Sequence, residues 1–196
     1  MTALQEPLRG GALTRARIEK EALQLFAEKG FDGTSIRDIA TAVGVADAAL
    51  YRHFKSKDDI ARQIFAHHYG ALAQHIAEIV AKGEPFHATV RRLVDLFCAL
   101  FDASPDVFAF ILLNQHAHLR FIDDAANVMV PLRGWMKDAY AKQEISISDP
   151  DLAAAMALGT VLQPAVAKLY GTLPGPLRDR APDMARAAAA AVGVVG

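Results

Sequence analysis

The stretch Thr34-Ser-Ile-Arg-Asp-Ile-Ala-Thr-Ala-Val-Gly-Val-Ala-Asp-Ala-Ala-Leu-Tyr-Arg-His-Phe-Lys-Ser-Lys57 decides how this chain folds. Ile36, Ile39, Ala40 and Val43 recur at helical spacing, Thr34 is a residue type that caps a helix N-terminus, and Gly44 is a type that ends one. A further short run carries Leu50 and Tyr51 and ends near His53-Phe54. Two short helices joined by a tight turn form a helix-turn-helix. Ala40 is small enough for the helices to cross closely, and Val45 with Leu50 can fill the wedge between them. A small helical hairpin buried in a core shows the same pattern, so that reading stays open. A unit that reads DNA would offer the N-terminal half of its second helix to the major groove.

Working outward, helical periodicity continues in both directions. Thr14 opens a stripe of Ile18, Ala22, Leu25 and Phe26 that Gly30 stops, while Pro7, Gly10 and Gly11 leave residues 1–13 as a loose leader. Ser56 and Asp59 resemble a capping box for a long helix to about Ala81. Helices then follow from Pro85 to Asp102, from Ser104-Pro105 to about His118, and from Asp124 to Gln143 with a kink at Pro131. Asp149-Pro150 opens an apolar helix to Tyr170, kinked near Pro164, and after a Pro/Gly-rich loop an alanine-rich helix runs over 182–195. The prediction is an all-α chain of about nine helices. Its parts are the leader, a helix-turn-helix domain over 14–57, and an antiparallel helical domain over 58–196.

Composition narrows the function classes. The 196 residues are 53% hydrophobic and 22% charged, a globular balance, and 38 of them are alanine. Cys98 is the single cysteine, so no internal disulfide and no CxxC metal or redox motif exists, which fits a reducing cytoplasm. Leu152 to Ala167, interrupted by Gln163 and Pro164, reads as too short to span a bilayer, and no membrane partner is expected. His67, His68 and His75, like His116 and His118, lack the i, i+4 spacing that metal helices use. No catalytic motif occurs, so the expectation is a non-enzyme with no cofactor and no metal. The net charge of −1 conceals a local excess of +2 over residues 33–57 against −3 elsewhere, a small positive footprint.

From Thr14 to about Ile64 the sequence resembles the tetracycline-repressor (TetR) family of bacterial transcription regulators. The resemblance rests on Phe26-Ala-Glu-Lys-Gly-Phe31, Thr34-Ser35-Ile36, Ile39-Ala40, Val43-Gly44-Val45, Leu50-Tyr51, Phe54 and Ser56-Lys57. It implies a repressor that binds a near-palindromic operator in double-stranded DNA as a homodimer and is released by a small-molecule effector. By position, Thr34, Tyr51, His53 and Lys57 would meet the phosphate backbone, with Arg37 added by charge; the alternative for each is a solvated surface residue, and for Tyr51 also half-buried packing. Family members often carry Ser or Thr, then Lys, where this chain has Ala46 and Asp47, and Gly or Thr at Ala48 and Ala49. Alanine methyls can meet a thymine methyl; Asp47 either caps the second helix or accepts from a cytosine amino group. These departures keep a rival open: a helical small-molecule-binding protein whose DNA head has degenerated.

In the longer domain, large apolar residues read as core. The resemblance implies that some instead line a largely apolar effector pocket, for which Phe97, Phe101, Leu112, Gln115, His116, Trp135, Met136 and Leu162 are the candidates. It likewise implies a dimer face on the last two helices, with Leu152, Ala155, Met156, Gly159, Met184, Ala187, Ala188 and Ala191 as candidates. Packing within the chain is the alternative for each.

Overall fold

The computed structural model describes residues 10–194, apart from the side chains at positions 10, 12, 115 and 116. Among the described residues there are nine α-helices, three short 3-10 turns and one isolated antiparallel bridge, Ile145 with Val194. The helices are α1 (Gly10–Lys29), α2 (Ile36–Val43), α3 (Asp47–Leu50), α4 (Lys57–Val80), α5 (Phe86–Ala103), α6 (Pro105–His118), α7 (Met129–Ala141), α8 (Pro150–Leu169) and α9 (Ala181–Ala191). The chain divides into two compact units, one ending at Phe65 and the other beginning at Ala66, so the division falls inside α4 rather than before it at residue 57.

The first unit is built around α1, α2, α3 and the start of α4. Ile18, Ala22 and Phe26 of α1 are buried with Ile39, Ala40 and Val43 of α2, Leu50 of α3, Phe54, and Ile60 and Ile64 of α4. On α1 the buried stripe takes in Leu23 rather than Leu25, which is half-buried. The helix begins at Gly10, four residues ahead of Thr14, and residues 1–9 of the expected leader lie outside the described residues. Near-zero exposure of Ala40 fits a close helix crossing, as its size predicts.

In the second unit α5 packs against α9, and α8 lies against α7 and α9. The buried row Phe86, Val90, Val94, Phe97 and Phe101 is one face of α5, with steps of three and four residues. The helix expected over Asp124–Gln143 is instead a 3-10 turn, Asp124–Ala126, followed by α7. Pro131 therefore sits in the first turn of α7, where its missing N–H has no carbonyl to serve, and it marks a helix start instead of a kink. Asp149 caps α8 by accepting from the N–H groups of Asp151 and Leu152, with Pro150 opening the helix. The helix continues through Pro164 to 20 residues, about 30 Å, so by length and composition alone it could cross a membrane. Only 22% of its apolar window is buried inside this chain.

A candidate DNA-reading surface and an apolar cavity

The helix-turn-helix owes its geometry to a few polar contacts. Ser35, not Thr34, caps α2: its hydroxyl accepts the Asp38 N–H at 3.1 Å while the Asp38 carboxylate accepts the Ser35 N–H at 2.8 Å. Those bonds from Ser35 hold the Asp38 carboxyl below its ordinary pKa. At the other end Gly44 adopts φ 74°, a left-handed conformation, and the N–H groups of Gly44 and Val45 return to the carbonyls of Thr41 and Ala40. Arg17 of α1 donates to the Val43 carbonyl at 2.8 Å, satisfying a further acceptor at this end.

Thr34 lies beneath this surface. It is 1% exposed, its hydroxyl is 2.9 Å from the Gly30 carbonyl and 3.2 Å from the Leu25 carbonyl, and its N–H donates to Phe31. Neither polar group faces solvent as a phosphate ligand must. A capping residue type placed one position before the true cap misled the reading; here threonine closes the C-terminal end of α1 instead.

The second helix is shorter than its sequence suggests. α3 is a single turn, Asp47–Leu50, continued by main-chain bonds from Tyr51 to Asp47 and from His53 and Phe54 to Leu50. Ala46 holds the capping position and Asp47 the first helical one, with no side-chain capping bond, so the capping role considered for Asp47 is not made. Ala46, Asp47, Ala48, Tyr51 and Arg37 are all exposed, and His53 is half-buried. Leu50 is wholly buried and anchors the turn to the core.

Lys57, the first residue of α4, also works inside the protein. Its ammonium donates to the Phe31 carbonyl at 2.7 Å and sits 4.2 Å from the centre of the Phe31 ring. Two N–H bonds of the ammonium remain for an outside acceptor. Just behind it, the Ser56 hydroxyl accepts the Asp59 N–H, and the Asp59 carboxylate reaches one residue further back than a capping box would, to the N–H of Lys55. Arg15 bonds Gln63 and lies 4.8 Å over the Phe54 ring, which ties α1 to the first turns of α4.

The second unit contains a cavity of about 120 Å³ walled by α4, α5, α6, α7, α8 and α9. Phe97, Leu112, Trp135, Met136 and Leu162 line it, as their positions on apolar stripes suggested. Phe101 does not line it; its ring packs against those of Phe97 and Phe108, at 6.3 and 5.6 Å between centres. The side chains of Gln115 and His116 lie outside the described residues. Sequence reasoning missed the contribution of α4, where Tyr69, Leu72 and Ile76 follow one another at i, i+3, i+7. That spacing was legible, but nothing in it separates a cavity wall from a filled core. Among the described residues no Asp, Glu, Lys, Arg or His lines the cavity.

On the last helices, Leu152, Ala155, Met156 and Gly159 of α8 and Ala187 of α9 are exposed, and Ala191 is half-buried. Met184 and Ala188 are instead 5% and 3% exposed and packed within this chain; Met184 lies against Cys98, and Ala188 forms part of the cavity wall. Alanine-rich helices carry small residues on every face, so periodicity could not tell the inner row from the outer one. Burial pushes the Cys98 thiol up to about 11, reinforced by Asp102 and Asp95, which leaves it protonated and inert at neutral pH. Among the described residues no group of three or more His, Cys, Asp or Glu side chains is placed to hold a metal.

Comparison with known proteins gives this arrangement a context. Residues 18–64 match the sequence profile described as bacterial regulatory proteins, tetR family. The HTH-type transcriptional repressor KstR2 of Rhodococcus jostii (strain RHA1) is 39% identical over 105 residues, 54% of this chain and 51% of that protein. The chain thus spans about half the length of the curated relatives it matches. The fold extends further: the regulator FadR from Bacillus subtilis, solved in complex with stearoyl-CoA, superposes with a TM-score of 0.79 at 18% identity, over 90% of this chain and 98% of that one. A tetR-family regulatory protein from Rhodococcus RHA1 gives 0.74 at 17% identity, over 93% and 98%. The profile covers the same cap, turn and buried anchor that shape the first unit, and over residues 18–64 the chain is similar to the tetR family of bacterial regulatory proteins.

Proposed function

We propose that this chain is a cytoplasmic transcriptional repressor, not an enzyme, that binds a near-palindromic DNA operator as a homodimer and is released by a largely apolar small molecule. The observation that carries the reading is the exposed turn of α3: Ala46, Asp47, Ala48 and Tyr51 stand at the surface over a wholly buried Leu50, as a groove-entering helix requires. Arg37, Tyr51, His53 and Lys57 serve as backbone-contacting residues; Thr34 supports them from below. Twofold symmetry would set two such turns about 34–36 Å apart on successive major grooves. The exposed apolar row of α8, with Ala187 and Ala191 of α9, serves as the self-complementary face between subunits.

The cavity serves as the effector site. Its volume is of the order of the roughly 150 Å³ apolar cavities that take up benzene. Its described wall is almost wholly aliphatic and aromatic, which suits a hydrocarbon portion of a ligand. The FadR neighbour, bound to a long-chain acyl thioester, supports an acyl or similar apolar moiety as the part received here.

Fluorescence anisotropy with duplexes tiled across the gene's own upstream region tests the proposal. Saturable, salt-sensitive binding to one duplex, reversed by a hydrocarbon ligand that also raises the thermal midpoint, is the expected result. Ligand stabilisation with no preference among duplexes at low salt would overturn it in favour of a small-molecule-binding protein with a degenerate head.

A further inference from the structure

We propose that Asp47 is the specificity-determining residue of the DNA-reading surface, and that its carboxylate accepts a hydrogen bond from the exocyclic amino group of a cytosine in each half-site. This rests on the DNA-binding function proposed above. Within the exposed front of the second helix, Ala46 and Ala48 present only methyl groups, and Ala49 is half-buried. Asp47 is the one side chain of the four that forms hydrogen bonds. Among the described residues its one hydrogen bond is through the main chain, its carbonyl accepting the Tyr51 N–H. Asp38, the other acid of this region, is by contrast spent on the Ser35 cap.

The chemistry of the major groove turns that isolation into a preference. A carboxylate has only acceptors. Guanine offers two acceptors, N7 and O6, thymine offers O4, and adenine sets N7 beside its amino group. Cytosine alone presents a donor with no acceptor on its own edge, so it attracts the carboxylate without an opposing repulsion. Flanking alanine methyls add apolar contact wherever a thymine methyl neighbours that cytosine. The same negative charge opposes every phosphate nearby, so it lowers affinity for DNA in general while raising the contrast between sequences.

The test is selection from duplexes with randomised half-sites, performed with the full chain and with Asp47→Ala and Asp47→Asn. The unchanged protein should enrich a C·G pair at one position per half-site. Asp47→Ala should flatten that position by roughly five- to tenfold, keep the preferences elsewhere, and bind random DNA severalfold more tightly. Asp47→Asn, nearly the same shape, should shift the position toward adenine, whose N6 and N7 fit a carboxamide. Identical preferences at every position in all three proteins would overturn the proposal, whatever happens to affinity. An unchanged protein that enriches no sequence at all would overturn the function on which it rests, an outcome visible before any variant is made.

Discussion

Replacing Thr34 with valine removes one hydroxyl and preserves the side chain's shape, which makes it a clean probe of what that hydroxyl does. Its oxygen is 2.9 Å from the Gly30 carbonyl and 3.2 Å from the Leu25 carbonyl, and it has a single proton to share between them. The loss is therefore one hydrogen bond, together with reduced satisfaction of two carbonyls at the end of α1, about 1–2 kcal/mol in all. Urea unfolding of Thr34→Val should show a midpoint lowered by that loss divided by the slope, with the slope itself unchanged. Affinity for operator DNA, measured where both proteins are fully folded, should stay within about twofold, because the side chain is 1% exposed. A tenfold loss of affinity with an unmoved unfolding midpoint would mean that the hydroxyl binds phosphate and that this placement of Thr34 is mistaken.

Lys57→Ala should weaken binding to all duplexes alike and reduce the salt slope by about one per subunit, whereas Ala48→Lys should change the ranking of duplexes; anisotropy titrations across salt concentration distinguish the two. Asp102, whose side chain is 5% exposed, accepts the N–H groups of Leu177 and Arg178 and pairs with the Arg178 guanidinium. Burial raises its pKa, but those bonds prevail and leave it below the ordinary aspartate value. Its stabilisation is thus complete above the unfolded-state pKa and is lost as pH falls through the folded one, so the stability gap between the unchanged protein and Asp102→Ala, about 2–3 kcal/mol at pH 7 by urea titration, should close under acid conditions. Ala188→Leu should fill part of the cavity and abolish the response to hydrocarbon ligands while operator binding persists in the anisotropy assay. Met156→Arg places two charges in the proposed twofold face and should raise the dimer dissociation constant by roughly a hundredfold or more, read by sedimentation velocity.

Features governed by local chemistry were readable from the sequence, and those governed by which neighbour arrives were not. Gly44, Ala40 and Leu50 took the roles their residue types dictate, since a left-handed turn, a close crossing and a buried anchor each admit few alternatives. Thr34 and Ser35 are both capping types in adjacent positions, and only the end of α1 above them decides which one caps and which is buried. Pro131 shows a similar limit: proline interrupts a helix or begins one, and the 3-10 turn at Asp124–Ala126 settles it as a beginning. In α9 every face offers alanine, so Ala188 in the cavity wall and Ala187 at the surface are indistinguishable until α5 and α8 are in place.

Cavity size constrains how an effector can regulate. A ligand with equal affinity for two conformations shifts nothing between them, however tightly it binds. A ligand that fits within about 120 Å³ as the walls stand gains little from any rearrangement. One that overfills the space gains apolar contact only when α4 to α9 part to admit it, and so favours the rearranged state. Moving a two-state equilibrium from 1:99 to 99:1 needs about 5.5 kcal/mol of differential binding. At about 25 cal/mol per Å² this corresponds to roughly 220 Å² of apolar surface buried in one state and not in the other. That area is about what a large aromatic side chain buries, and it must come from contacts made only in the rearranged state. A ligand of benzene size should therefore occupy and stabilise the second unit without releasing DNA, whereas a longer hydrocarbon that displaces the wall made by Tyr69, Leu72 and Ile76 of α4 should release it, and anisotropy titration of a hydrocarbon series of increasing length checks the difference.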